Sequence, residues 1–356
     1  MPPPSQFFTL MDALSSLDVD KFKAFKVLTT EYRILKASHG GNVAISTDIL
    51  IPKTLLGSPD HERSQIPILV RIHGGFLVTG SSRYAPWFSN WILDYASKSN
   101  AIIISPNYRL LPEASGTEIL EDIDAFWDWL RGNGLSQSLH DTGHSNITPD
   151  LYRVLLIGES AGGYLAVQLA LKYPSTVSGV VAAYPMLDLR SQFYTRRYEK
   201  PIVGVPNIPN SVINEHLQAN ESGSMPRVVT TANPPDRLEL AFSIVQNGRF
   251  LEFFGTDTPD LFPMERARRL AASGKSKIPP FFIFHGKQDS AVPVDGSHRF
   301  ASLLRQNFPD GLVQLHVQDG DHGFDSDATL NTPWLRNGLS VISAAWLNST
   351  PGVSHL

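Results

Sequence analysis

The stretch Leu151 to Leu171, LYRVLLIGESAGGYLAVQLAL, narrows the folds open to this chain more than any other. Val154 to Ile157 is an unbroken run of valine, leucine and isoleucine, which suits a strand buried on both faces of a parallel sheet. Gly158, Gly162 and Gly163 crowd the turn that follows, and Ala161 to Leu171 carries alanine and leucine at helical spacing. Strand, turn and helix together put Ser160 at the apex of a nucleophile-elbow pattern G-x-S-x-G, here Gly158-Glu159-Ser160-Ala161-Gly162. Side chains at the glycine positions would collide with the neighbouring strand and helix, so a turn sharp enough to expose the serine oxygen requires glycine. The five-residue pattern alone arises by chance in about one chain in ten of this length. Its weight comes from the strand before it and the helix after it.

The rest of the chain continues the same alternation. Glu31 to Ile51 alternates around a Gly40-Gly41-Asn42 turn and reads as a β-hairpin, and Ile66 to Ile72 is a buried strand running into His73-Gly74-Gly75-Phe76. Trp87 to Lys98 reads as helix, Ala101 to Ser105 as strand, and Glu118 to Arg131 as an amphipathic helix with acidic residues in its first turn. Residues 131 to 152 are polar and rich in Gly, Ser, His and Asn, the composition of a surface loop. Gly179 to Met186 is the next strand. Asp188 to about Phe262 then breaks the rhythm with many prolines and reads as an insertion, after which Pro280 to Phe284, Asp295 to Gln306, Leu312 to Val317 and Pro333 to Leu347 resume as strand, helix, strand and helix. The sum is an α/β fold, a mostly parallel central sheet flanked by helices, in a single domain over 1–356. Residues 1 to about 30, with Phe7, Phe8, Leu10, Leu14, Leu17, Phe22 and Phe25 among polar residues, suit one or two short amphipathic helices.

Composition removes several classes of function. The formal net charge of −4 gives no electrostatic case for nucleic acid or an anionic membrane. The absence of cysteine excludes disulfides, Cys-ligated zinc, iron–sulfur clusters and a thiol nucleophile together. No apolar run reaches transmembrane length, and the start MPPPSQFFTLMDAL lacks a basic segment followed by a long apolar one, so a cytoplasmic location is expected. The final Ser354-His355-Leu356 is near the S-K-L peroxisomal address, which is the alternative. Nothing in the pattern fixes the oligomeric state.

A serine at an elbow needs a base to take its proton and an acid to hold that base in the right tautomer. Asp289 lies just past the strand ending at Phe284, beyond the carboxyl end where open α/β sheets build their sites. His322 occupies the matching loop one strand–helix unit later, and the order Ser160, Asp289, His322 is that of α/β-hydrolases. Rivals are present: His73 and His285 also sit at strand ends, and Asp319, Asp321 and Asp325 could each cap a turn. Asp289 is favoured because an acid inside the histidine's own loop reaches its far ring nitrogen poorly. The loop His73-Gly74-Gly75-Phe76 would supply an oxyanion hole, with the N–H groups of Gly74 and Gly75 joining that of Ala161.

The series His73-Gly74-Gly75-Phe76, Asn107-Tyr108-Arg109-Leu110-Leu111-Pro112-Glu113, Gly158-Glu159-Ser160-Ala161-Gly162-Gly163, His285-Gly286-Lys287-Gln288-Asp289-Ser290-Ala291-Val292-Pro293 and Asp321-His322-Gly323-Phe324 resembles the signature motifs of the hormone-sensitive-lipase-like carboxylesterases of the α/β-hydrolase superfamily. The resemblance covers about Ile66 to Trp346. It implies that Ser160, Asp289 and His322 form a catalytic triad, that Gly74, Gly75 and Ala161 form the oxyanion hole, and that 1–30 and 188–262 form a cap. It also implies a structural turn at Tyr108, Arg109, Pro112 and Glu113. Two positions depart from the family pattern: Phe76 stands where Gly or Ala is usual, and Glu159 replaces the commoner Asp.

The function expected is that of a cofactor-free and metal-free serine carboxylesterase acting on an ester of a bulky apolar small molecule, with Phe76, Leu77, Tyr84 and Trp87 as candidate walls of the substrate pocket. The alternative is a biosynthetic enzyme using the same site for acyl transfer, lactonisation or aldol-type cyclisation of a polyketide-like substrate. A third reading is a non-catalytic small-molecule receptor on a hydrolase scaffold, which the intact set Ser160, Asp289 and His322 disfavours.

Overall fold

The computed structural model describes residues 20–36, 41–57, 65–223, 227–234, 236–274 and 277–349. Eight strands form one sheet: β1 (Phe25–Lys36), β2 (Asn42–Pro52), β3 (Gln65–Ile72), β4 (Ile102–Pro106), β5 (Thr148–Glu159), β6 (Gly179–Ala183), β7 (Phe281–Gly286) and β8 (Val313–Gln318). Their spatial order is β1-β2-β4-β3-β5-β6-β7-β8. β1 and β2 pair antiparallel, β2 meets β4 antiparallel, and every later pairing is parallel. This is the α/β-hydrolase arrangement of a mostly parallel sheet flanked by helices.

The apolar runs of the sequence acquire their meaning from two cores, one on each face. Along β3, Ile68, Val70 and Ile72 join one cluster while Leu69 joins the other. The same alternation holds for Val154 and Leu156 against Leu155 and Ile157 on β5, and for Phe281 and Ile283 against Phe282 and Phe284 on β7. A strand covered on both faces has no solvent side, so its sequence shows no polar alternation. Each such side chain contributes about 1.5–3 kcal/mol of transfer free energy. Helices Asn90–Lys98 and Pro333–Leu347 cover one face; Gly116–Arg131, Ala161–Lys172 and Asp295–Asn307 cover the other.

Three expectations need correction. Residues 25–30 are strand rather than helix, because FKVLTTEYRILK alternates and pairs along its length with β2; residues 1–19 lie outside the described residues. The polar stretch after Arg131 is not a loop throughout. It contains the helix Gly134–Asp141, anchored by buried Leu135 and Leu139 one turn apart, and β5 begins already at Thr148. The hairpin strands are β1 and β2 in full, so the first starts earlier than Glu31.

Between β6 and β7 the described residues form helices Gln192–Thr195, Ser211–Glu221, Leu238–Gln246, Phe250–Phe254 and Pro263–Ala272, with no strand joining the central sheet. The insertion is fastened to the loop after β3. Gly80 and Ala232 exchange backbone hydrogen bonds at 2.7 and 3.0 Å, and the Thr79 hydroxyl donates to the Ala232 carbonyl at 3.0 Å. Arg237, directly before the helix Leu238–Gln246, donates to the carbonyls of Val78 at 2.8 Å and Leu111 at 2.6 Å, and forms an ion pair with buried Glu113 at 2.6 Å. His216 and Asn220 of the insertion also bond Glu113. These pairings hold the Glu113 carboxyl down at about 2 despite its burial.

Candidate active site

Ser160 stands at the turn between β5 and the helix Ala161–Lys172, with φ 56° and ψ −117°, a strained conformation for a residue with a side chain. The neighbours make it possible. A Cβ on Gly158 would lie 2.1 Å from the Gly162 carbonyl oxygen, and one on Gly162 would lie 2.0 Å from that of Ile72. The Ser160 N–H donates to the Ala183 carbonyl at 2.9 Å, so the apex is tied to the end of β6.

The loop after β3 comes against the same point. A Cβ on Gly74 would meet the Glu159 carbonyl oxygen at 2.9 Å and the Ser160 Cβ at 3.1 Å. Gly75 takes φ 109° and its carbonyl accepts from Val78 and Thr79, which curls the loop. Among the described residues, the N–H groups of Gly74, Gly75 and Ala161 donate no backbone hydrogen bond. His73 turns its ring away into the interior, where it stacks on Tyr108 at 4.3 Å and pairs with the Gly74 carbonyl at 2.8 Å through Nδ1. Burial, aided by the Arg71 charge, lowers its pKa to about 3 against the pull of that hydrogen bond.

On the other side of Ser160, His322 Nδ1 lies 2.8 Å from Asp289 Oδ2. The Asp289 side chain is fully buried, that of His322 one-fifth exposed. Burial opposes the Asp289 charge, but the charge of His322 and hydrogen bonds from His285 and His322 outweigh it, and the carboxyl is held far below its usual range. For His322 burial also works against ionisation, and the Asp289 charge and hydrogen bond prevail, so its pKa is raised above 6.5. The rival acids have other duties. Asp321 accepts from Ser290 and from the His322 N–H, Asp319 accepts from Gln288, and Asp325 accepts from Trp91 Nε1 at 2.7 Å and from Ser89.

A cavity of about 570 Å³ brings Ser160, His322, Gly74, Gly75, Phe76 and Trp87 onto one wall system, with Ile202, Val203, Leu238 and Phe242 contributed by the insertion. Phe76 meets Phe242 edge to face at 6.2 Å. Leu77 and Tyr84 are corrections to the expected pocket walls. The positive φ values of Phe76 and Leu77, 56° and 62°, reverse the chain so that Leu77 enters the core, and Tyr84 packs edge to face on Trp87 at 5.2 Å without reaching the cavity.

Beyond the residues named from the sequence, Arg71 and Tyr184 also meet at the site. Arg71 interrupts the apolar run of β3, and a charge in a strand buried on both faces demands a partner. The partner is Glu159, met by Arg71 Nη2 at 2.6 Å and Nε at 2.7 Å. The longer side chain at the position before the serine makes this reach. Tyr184, at φ 38° after β6, lays its ring against His322 at 4.5 Å, and His285 lies beside Asp289.

Residues 69–238 match a family model described as alpha/beta hydrolase fold. A probable carboxylesterase, M8, from a Phoma species is 34% identical over 289 residues, which are 79% of this chain and 87% of that protein. The chain belongs to the carboxylesterase family of the α/β-hydrolase fold. Members of this carboxylesterase family are carboxylic ester hydrolases, and the five motifs that resemble it fall within the matched region or follow it in order. The non-reducing polyketide synthase ausA of Aspergillus calidoustus is 26% identical to this carboxylesterase chain over 325 residues, 80% of the chain but 12% of the synthase. A thermostable esterase from Pseudomonas putida has a similar fold, with a TM-score of 0.58 at 16% identity over 96% of this chain and 89% of that one.

Proposed function

We propose that the chain hydrolyses an ester of a bulky apolar small molecule through an acyl-enzyme on Ser160. The observation that carries this reading is the His322–Asp289 pair at 2.8 Å opening onto the cavity that Ser160 and the Gly74–Gly75 loop share. His322 takes the Ser160 proton as the serine oxygen attacks the ester carbonyl carbon, and Asp289 holds the ring and balances the imidazolium that forms. The N–H groups of Gly74, Gly75 and Ala161 receive the negative charge on the carbonyl oxygen. Collapse of the intermediate expels the alcohol, protonated by His322; water, deprotonated by the same ring, then releases the acid and restores Ser160. Residues 188–262 act as a cap whose Ile202, Val203, Leu238 and Phe242 give the substrate an apolar surface. Ser160→Ala should reduce turnover of p-nitrophenyl butyrate by roughly 10⁴-fold or more with folding intact. Unchanged activity would end this reading.

A second reading is favoured by the match to a segment of a polyketide synthase. There the acyl group on Ser160 passes to a hydroxyl of the substrate, giving a lactone in place of an acid. Mass spectrometry of products separates the two, because hydrolysis adds the elements of water to the ester and lactonisation does not.

A further inference from the structure

Asp289 has its acceptor capacity filled from two sides. Oδ1 accepts from the N–H groups of Ala291 at 2.9 Å and Val292 at 2.7 Å. Oδ2 faces His322 Nδ1 at 2.8 Å and, on its other side, His285 Nε2 at 3.2 Å. The backbone pair fixes one oxygen; the second oxygen meets two imidazoles.

His285 is fully buried at the carboxyl end of β7. Its Nε2 faces two groups that only accept, so it carries the proton, donating principally to the Val292 carbonyl at 2.8 Å with Asp289 Oδ2 as the longer second contact at 3.2 Å. Its Nδ1 pairs with the Ser297 hydroxyl at 2.8 Å, on the first turns of the helix Asp295–Asn307. The ring is therefore gripped by strand, loop and helix at once. The mechanism above uses Ser160, Asp289 and His322 and leaves this second histidine without a part.

We propose that His285 is a positioning residue: its Nε2–H, oriented by Ser297, holds Asp289 Oδ2 in line with His322 Nδ1. Without it, the carboxylate keeps its Oδ1 anchors and, on Oδ2, the His322 contact alone, and can rock so that Oδ2 drifts out of line with His322 Nδ1. A misplacement of this kind lowers the rate of proton transfer at Ser160 and leaves the cavity walls, and hence substrate binding, unchanged. The inference rests on the serine-triad reading.

The test compares His285→Leu, His285→Gln and Ser297→Ala. Competent sites are counted by fluorophosphonate titration, and kcat and KM for p-nitrophenyl butyrate are expressed per titrated site. Expected are a fall in kcat of roughly 10- to 100-fold for His285→Leu with KM within about threefold, recovery to within about fivefold in His285→Gln, whose amide N–H can donate to Oδ2, and a loss of roughly 3- to 10-fold for Ser297→Ala. A merely structural ring would lower the number of titratable sites and the melting temperature, but not kcat per site. The inference is overturned if His285→Leu keeps the parent kcat per site or if His285→Gln is as impaired as His285→Leu. Should His285→Leu not fold, a parent-like kcat per site in Ser297→Ala overturns it. Ser160→Ala in the same series keeps the two readings apart: full activity there removes the triad reading itself, whereas an inactive Ser160→Ala beside an unimpaired His285→Leu removes only the role of His285.

Discussion

The Arg71 guanidinium grips the Glu159 carboxylate through both Nη2 and Nε, at 2.6 and 2.7 Å, with both side chains sealed from solvent one residue ahead of Ser160. Arg71 further donates to the carbonyls of Ser82 and Trp87 and lies over the Phe88 ring at 4.3 Å. Burial pushes the Glu159 carboxyl up, and the Asp325 charge adds to this, while Arg71 opposes both. Arg71→Met leaves that carboxyl buried without its cation, and a loss of about 3–5 kcal/mol is expected in urea unfolding. The double variant Arg71→Met/Glu159→Met should recover most of it, because no unpaired charge is left behind. Equal stability of the two variants would refute the account.

Gly162 is the tightest point of the elbow. Alanine there would drive a methyl group to 2.0 Å from the Ile72 carbonyl oxygen and 2.6 Å from that of His73, both backbone atoms that cannot step aside. Gly162→Ala should therefore lose nearly all esterase activity and melt well below the parent, whereas Gly143→Ala, in open space at φ 79°, should cost only about 1 kcal/mol of backbone strain. Circular dichroism melts of the two variants check the contrast.

The pH dependence follows from the sign of the His322 shift. The proposed mechanism makes His322 the general base, which works only unprotonated; its pKa is raised, so kcat/KM should fall on acidification along a limb whose midpoint lies above the ordinary histidine value. In Asp289→Asn the carboxylate charge and its charged hydrogen bond are gone, and burial, which lowers the pKa, is opposed only by the smaller effects of the Asp321 and Asp325 charges. The limb should move to lower pH while kcat drops about 10⁴-fold. For stability the raised His322 pKa works the other way: its contribution is full below the unfolded value and fades as pH rises through the folded one. A limb that stays in place in Asp289→Asn would contradict the pairing.

Phe242 closes the insertion side of the cavity against Phe76. Phe242→Ala should open that side and raise the kcat/KM ratio of p-nitrophenyl decanoate to butyrate by about 10-fold or more. The same change removes a buried ring, and a cost of up to about 3–5 kcal/mol is expected in thermal unfolding. An unaltered ratio would mean that the acyl chain runs elsewhere.

What is legible in the sequence is what the chain writes locally. The elbow, the run Val154–Ile157 of β5 and the strands β4, β6 and β7 announce themselves by glycine spacing and apolar runs, since each run is buried by the sheet it belongs to, whereas β8 alternates and has no buried residue. The helix Gly134–Asp141 has only Leu135 and Leu139 to betray it, too little periodicity to distinguish from loop. Leu77 and Tyr84 were legible as hydrophobic but not as to direction, because left-handed backbone at Phe76 and Leu77 sets where they point. Arg71 and His285 were visible as polar residues in apolar strands. Their partners, Glu159 at a distance of 88 residues and Ser297 on a later helix, are brought to them by the sheet topology.

The bonds of Arg237 to Val78, Leu111 and Glu113 join the base of the insertion to the chain just behind the Gly74–Gly75 loop. Roof and floor of the cavity thus share a hinge post, and neither can be exchanged alone. A graft of residues 188–262 from a relative would bring new substrate walls, but unless it also carried an arginine in register with Glu113 it would leave the Val78 carbonyl without its donor. Substrate range can be altered without disturbing the post at side chains such as Leu238 and Phe242, which line the cavity next to it.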